Sequence, residues 1–211
     1  MQNFTECINI SQLNIRSLRP LQKREALKNY LTKNNIHIFL LQEIWLKPDE
    51  NFRFLNYNFT KHCRPEGYGG VGIIIHPHLI FEEIKIPNTA LELVAVKIKN
   101  TKFPLIFISL YIPPEENLDD LKTPLKNLFE YLDKSEVKVV IGCDINAHSP
   151  LWDNRNQKED RRGELISDMI IDYNITLLNN GEPTRWQDMN QNATAIDLTL
   201  TSPAIAQIIG I

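Results

Sequence analysis

The stretch "VKVVIGCDINAHSP", residues 137–150, decides how the chain is read. Val137, Val139, Val140 and Ile141 do not alternate with polar residues, which predicts a strand buried on both faces. Asp144 and Asn146 follow at once, two residues apart. An acid and an amide where such a strand runs out form either a capped turn or an active site at the carboxyl edge of a sheet. The rest of the chain has to choose between them.

Downstream, Leu165, Ile166, Met169 and Ile170 mark a helix after Gly163, and "ITLLN" (175–179) and "AIDLTLTS" (195–202) read as the last strands. "SPAIAQII" (202–209) opens another helix, with Ser202 as N-cap and Pro203 at its first position. Upstream, a helix carries Leu118, Leu121, Leu125, Leu128, Phe129 and Leu132 at helical spacing, with Pro124 as an irregularity. "LELVAVKI" (91–98) and "FPLIFISLYIPP" (103–114) suggest a hairpin, and "GYGGVGIII" (67–75) a glycine-rich turn feeding a strand. "CINISQLN" (7–14) is the first strand; a helix follows Pro20 and ends at Asn34 and Asn35; "IHIFLL" (36–41) is a short apolar strand. Hairpins mixed with strand–helix–strand units argue for two mixed β-sheets packed face to face with helices outside, a four-layer α/β sandwich.

The size fits one domain over residues 1–211 with a continuous core. There is no repeat and no low-complexity tract. No stretch approaches the length of a membrane-spanning helix, and "MQNFTECINI" lacks a basic start followed by an apolar secretory core. Cys7, Cys63 and Cys143 are odd in number and without a CxxC pair, so neither a disulfide framework nor a zinc site is expected. These features predict an intracellular protein without a membrane partner. A net charge of −3 does not advertise nucleic-acid binding, although basic clusters occur at 16–24, 61–64 and 158–162.

Several strands end on, or carry near their ends, residues suited to phosphate chemistry. Asn14 closes the first, Glu43 follows "IFLLQ", Tyr111 sits in "SLYIPP", and Asp144 and Asn146 follow "VVIGC". Asp197 begins "IDLTLTS", where alternation sets Asp197, Thr199 and Thr201 opposite Ile196, Leu198 and Leu200. Singly, each has a mundane explanation as a cap, a surface acid or a core ring. Together they supply what metal-assisted phosphodiester cleavage requires. Mg²⁺ takes a few hard oxygens and keeps several waters, while carboxylates position and activate the attacking water.

"LNIRSL", "LLQE", "SLYIPP", "IGCDINAHSPLW", "DRRGELISDMI", "LLNNGEPTR" and "AIDLTLTSP" occur in that order over nearly all of the chain. The series resembles the endonuclease domain of jockey-like non-LTR retrotransposons. That is a branch of the exonuclease III/DNase I-like endonuclease/exonuclease/phosphatase superfamily. The resemblance implies that Glu43 is the principal Mg²⁺ ligand, with Mn²⁺ as a possible substitute, and that Asn14 supports metal or phosphate. It implies that Tyr111 contacts the scissile phosphate, that Asp144 orients or deprotonates the nucleophile, and that Asn146 holds it or a phosphate oxygen. Asp197 would orient a histidine near the domain's end. His148 fits the branch pattern as a loop-shaping residue; it, Arg155 and Arg162 are the candidates for DNA contact. The implied partners are DNA and the reverse transcriptase domain of a parent polyprotein, and the implied location is the nucleus.

Two departures bear on activity. Many superfamily members place an Asp two residues after the first-strand Asn; here that position is Arg16. The family also closes on an S-D-H motif, and no histidine follows His148. The sequence is therefore read as cut short before the last strand, with an apolar "IIGI" ending (208–211) and an impaired site. Two other functions stay open: a phosphodiesterase or phosphatase of the same superfamily acting on lipid or inositol phosphates, and a degenerate, non-catalytic DNA-binding module.

Overall fold

The structure, a computed structural model, describes residues 7–134, 138–155, 158–185 and 193–206. Val137 and the "IIGI" ending lie outside them. Among the described residues, ten strands form a four-stranded and a six-stranded sheet, and the chain divides into two compact units, residues 1–85 with 92–111 and residues 86–91 with 112–211.

In the first unit, strands β1 (Ile10–Asn14), β2 (Ile38–Gln42), β3 (Asn58–His62) and β4 (Val71–Ile75) make the four-stranded sheet in the order β1-β2-β4-β3. β1 and β2 are parallel; the other pairs are antiparallel. Every residue of β2 is buried because both its faces are covered. Phe39 and Leu41 join Leu27 and Leu31 of helix α1 (Leu21–Lys33) in one apolar cluster. Gln42, one pleat from Leu41, turns the other way, and its amide donates to Ser109 Oγ at 3.0 Å. Ser109 lies on β7 (Leu105–Tyr111), which with β5 (Phe81–Ile84) and β6 (Glu92–Ile98) gives this unit three strands of the second sheet, in the order β5-β6-β7. β2 and β4 pack on β6 and β7, so within this unit the two sheets lie face to face.

The second unit holds helix α2 (Leu118–Lys134), strand β8 (Lys138–Asp144), helix α3 (Arg161–Asp172), strands β9 (Thr176–Leu177) and β10 (Asp197–Thr201), and helix α4 (Pro203–Ala206). The strands run in the order β8-β10-β9, antiparallel throughout. α2 packs on α3, burying Leu121, Leu125, Leu128, Phe129 and Leu132 from one and Ile166, Met169 and Ile170 from the other. Pro124 stands inside α2 without ending it.

Ser202 stands immediately before Pro203 at the start of α4, its carbonyl accepting from Ala206 N at 3.3 Å, while its hydroxyl accepts from Val139 N at 3.2 Å. Two local expectations are corrected. α3 starts at Arg161, ahead of Gly163, because Asp160 caps it by accepting from Gly163 N at 2.6 Å. β3 "NFTKH" and β5 "FEEI" are strands that apolar patterning did not indicate, both at sheet edges, where polar and charged residues are admitted.

Candidate active site

In the first unit, parallel pairing sets Asn14 beside Gln42, so Glu43 emerges one residue past Asn14's partner. Asn14 Nδ2 donates to Glu43 Oε1 at 2.7 Å, and the Trp45 indole N–H donates to Oε2 at 3.1 Å. The backbone here is held in the left-handed region, φ 50° at Glu43 and 52° at Trp45, which costs of order 1–3 kcal/mol per residue. Four backbone bonds enforce it. Ser17 N and Leu18 N donate to the carbonyls of Glu43 and Ile44 at 2.8 and 2.9 Å; Ile44 N and Trp45 N donate to those of Gly70 and Gly69 at 3.1 and 2.8 Å. Gly70, at φ 80°, has no room for a side chain: a Cβ would lie 3.0 Å from Ile44 Cγ1 and 3.2 Å from the His62 carbonyl. The "GYGG" segment is thus the turn that receives the Glu43 loop. Tyr111 closes β7, is buried, and stands opposite Glu92 in the β6–β7 register. Burial raises the Glu92 carboxyl above its usual range, against the lowering pull of the Gly70 N–H and Arg64.

Whether this half suits a metal is decided by its donors. No lysine or arginine pairs with Glu43 among the described residues, and its partners are neutral N–H groups. Among those residues there is also no cluster of three or more His, Cys, Asp or Glu that could form a transition-metal cage. One half-buried carboxylate beside an amide fits a hard dication that keeps most of its waters, as Mg²⁺ does, and does not fit a structural Zn²⁺.

In the second unit, the β8–β10 register sets Asp144 directly opposite Asp197. Residues so paired in an antiparallel ladder present side chains to the same face, so two carboxylates are brought together although 52 positions separate them. Asp144 is 1% exposed. It lies beside Cys143, whose thiol is pushed up by burial first and then by the charges of Asp144 and Asp197, so it stays protonated. Asn146 N donates to Asp144 Oδ1 at 3.2 Å, and Asn146 Nδ2 to the Ile112 carbonyl at 3.0 Å. The turn needs φ 46° at Asn146, a conformation asparagine tolerates better than most residues.

The remaining candidates are less uniform. His148 is half-buried and exchanges bonds with Asp160: His148 N donates to Asp160 Oδ2 at 2.9 Å and Asp160 N to the His148 carbonyl at 3.0 Å. Trp152 is 1% exposed. Arg155 is exposed and forks onto Asp153, 3.1 and 3.3 Å to its two oxygens. Arg162 donates only to backbone carbonyls.

Two structural residues gave no signal in the sequence. Trp45 lies in no periodic pattern that marks it as a partner for Glu43. Asp153 is 1% exposed and accepts from Ala195 N at 3.0 Å and Arg155 N at 3.1 Å, tying the loop after Trp152 to the entry of β10. Burial alone would raise its carboxyl, but the N–H groups of Ala195 and Arg155 and the Arg155 charge outweigh that and hold it below the ordinary value. A depressed carboxylate stabilises the fold above its unfolded pKa of about 3.9 and loses that contribution as pH falls through the folded value. Asp153→Asn turns an amide donor toward N–H groups and should cost about 1–3 kcal/mol at pH 7. As pH falls through the depressed folded value of Asp153, the two proteins should converge in stability. Melting curves from pH 7 down into the acid range check this; a difference that stays constant throughout would sink the assignment.

Residues 105–209 match the family model described as endonuclease-reverse transcriptase. That segment is just under half of the chain, and over it the chain is similar to that family. This supports a reading as a non-LTR retrotransposon endonuclease domain of the endonuclease/exonuclease/phosphatase superfamily. It is 28% identical over 92 residues to the putative 115 kDa protein in type-1 retrotransposable element R1DM of Drosophila melanogaster; the match covers 38% of this chain and only 9% of that protein. Among solved structures, the endonuclease domain of TRAS1, a telomere-specific non-LTR retrotransposon, superposes with a TM-score of 0.78 at 17% identity, covering 97% of this chain and 90% of that one. An AP endonuclease from Archaeoglobus fulgidus gives 0.64 at 17% identity, covering 95% and 89%. The 3′-5′ exonuclease NExo from Neisseria meningitidis gives 0.65 at 19%, covering 94% and 88%. The two mixed sheets with their helices are the DNase I-like fold.

Proposed function

We propose that the chain is a Mg²⁺-dependent DNA endonuclease that nicks one strand to leave a 3′ hydroxyl from which a reverse transcriptase of the same polyprotein can extend. The observation that carries the reading is the register that opposes Asp144 and Asp197. Like charges facing each other across a ladder are destabilising, and a fold keeps such a pair where chemistry uses it. The family match supplies the reaction class, and an unneutralised Glu43 beside the Asn14 amide supplies oxygens for the ion.

Asn14 and Glu43 would hold the ion, which when bound neutralises charge gathering on the phosphoryl oxygens. Asp144 takes the proton of the attacking water, Asn146 holds that water or a phosphate oxygen, and Tyr111 contacts the phosphate. The water oxygen–phosphorus bond forms, the bond to the 3′ oxygen breaks, and solvent supplies the proton that completes the 3′ hydroxyl. A chromosomal substrate assigns this work to the nucleus.

The test is supercoiled plasmid incubated with the purified protein. Relaxation to open circles is expected with Mg²⁺ or Mn²⁺, loss of activity with a chelator, and recovery when Mg²⁺ is restored. Phosphate release from a phosphoinositide in place of nicking would favour the lipid reading. DNA binding with no cleavage in either metal would favour a degenerate binding module.

A further inference from the structure

We infer that Arg162 is a positioning residue that holds the Asn146 turn in its working conformation by tying it to the loop after β7, and that it is not a contact to the DNA backbone. The inference rests on the endonuclease reading of Asn146. Arg162 is the second residue of α3, half-buried, and its guanidinium reaches two segments far apart in sequence. Nη1 donates to the carbonyls of Pro113, Asn146 and Ile145 at 2.9, 3.3 and 3.4 Å. Nη2 donates to those of Pro114 and Glu116 at 3.1 and 2.8 Å.

The acceptors explain why an arginine is needed. Residues 113–116 leave the sheet at two prolines, which bring carbonyls without N–H groups to pair among themselves. The turn at 145–146 is bent to φ 46° at Asn146 and brings the carbonyls of Ile145 and Asn146 to the same guanidinium nitrogen. Five acceptors spread over two segments require a planar fork, and a guanidinium carries four hydrogens on its two terminal nitrogens. All four are committed, so Nη1 shares its pair among three carbonyls. Binding a phosphate side-on would require the same face of the fork and would release the loops.

The consequence for chemistry lies in how Asn146 is held. Its side chain donates to the Ile112 carbonyl, and its carbonyl accepts from Arg162, so the residue is fixed to the 112–116 segment by both main chain and side chain. Ile112 N donates to the Asp144 carbonyl at 2.9 Å, which closes the frame around the acid as well. With Arg162 removed, a left-handed asparagine would keep its side-chain bond to Ile112 and its N–H bond to Asp144 but lose the one hold on its carbonyl that resists relaxation to an ordinary turn. A lysine has the charge and the reach but presents one ammonium, which cannot span both segments.

Arg162→Lys distinguishes positioning from phosphate binding. The expected result is a kcat lowered about tenfold or more with KM for plasmid within about twofold, since a transition-state contact is lost and ground-state binding is kept. The slope of log(kcat/KM) against log salt should match wild type, whereas losing a phosphate contact reduces it by about one. Millimolar guanidinium should restore part of the rate of Arg162→Ala. In hydrogen exchange, the amides of 112, 115 and 116 and of 145–147 should exchange about tenfold faster in Arg162→Lys, with those of 166–170 unchanged. A salt slope reduced by one, or unchanged exchange at 145–147, overturns the inference. Absence of nicking by the wild-type protein would sink the endonuclease reading alone, and the exchange measurement would still decide the role of Arg162.

Discussion

Asp144→Asn is expected to slow plasmid nicking about a hundredfold or more while leaving the melting temperature unchanged or higher. The two halves of that expectation come from the same geometry. Asp144 is all but fully buried, at the end of β8, with Asp197 as its register partner. Two carboxylates facing each other across the ladder, one buried and one half-buried, are an unfavourable pairing, so an amide in place of one removes a cost from the folded state. The acceptor role survives: an asparagine oxygen can take the Asn146 N–H that Asp144 Oδ1 takes now. What the amide cannot do is accept the proton of an attacking water, and loss of a positioned base typically costs 10²–10⁴ in rate. A site that gains stability when its acid is neutralised is one where the fold tolerates repulsion for function. Plasmid relaxation rates and thermal melts on the same preparations check both halves. Nicking within tenfold of wild type would remove Asp144 from the proposed role, and a melting temperature lowered by several degrees would show that the charge itself supports the fold.

The apolar strands were legible because burial on both faces writes itself into composition. β2 and β8 are runs with almost no polar residue, and their ends pointed to Glu43, Asp144 and Asn146. Opposition of Asp144 and Asp197 was not legible, since register depends on a pairing across 52 residues that no local pattern encodes. Edge strands β3 and β5 escaped for a related reason: with one neighbour each they need no continuous apolar face, and Lys61 and Glu83 look like loop residues. The supports of the site were hidden more deeply. Trp45, Asp153 and Arg162 bond through a few polar atoms to positions 2 to 49 residues away. Their side chains have mundane alternatives as a core ring, a capping acid and a solvated cation. Arg162 shows how charge misleads: "KEDRR" reads as a basic surface patch, yet Arg162 is occupied by carbonyls and Arg155, just ahead of the patch, by Asp153.

Gly163→Ala sets two quantifiable effects against each other. By helix propensity the change is favourable, because alanine is better than glycine inside a helix by about 1 kcal/mol, and Gly163 lies in the first turn of α3. By packing it is unfavourable, because a Cβ there would overlap the His148 carbonyl oxygen and lie 2.9 Å from its carbonyl carbon. The obstacle is main chain, so no rotamer change relieves it. That carbonyl accepts from Asp160 N, while Asp160's carboxylate caps the helix through Gly163 N and holds His148 N. Moving the helix away from residue 148 therefore strains three hydrogen bonds besides the overlap. Overpacking costs about 1–3 kcal/mol and each weakened bond adds about 1, so packing wins by roughly 3–5 kcal/mol after the propensity gain. For a protein of this size that is a fall of about 6–20 °C in melting temperature. The effect should reach the chemistry, since Arg162 immediately precedes Gly163 and His148 lies two residues past Asn146, so displacement of α3 pulls on both ends of the Asn146 frame. Hydrogen exchange at 145–148 should then rise together with the drop in melting temperature. An alanine variant that melts at or above wild type would mean that the loop yields freely to the helix, and the rigidity assigned to the Asn146 turn would fall with it.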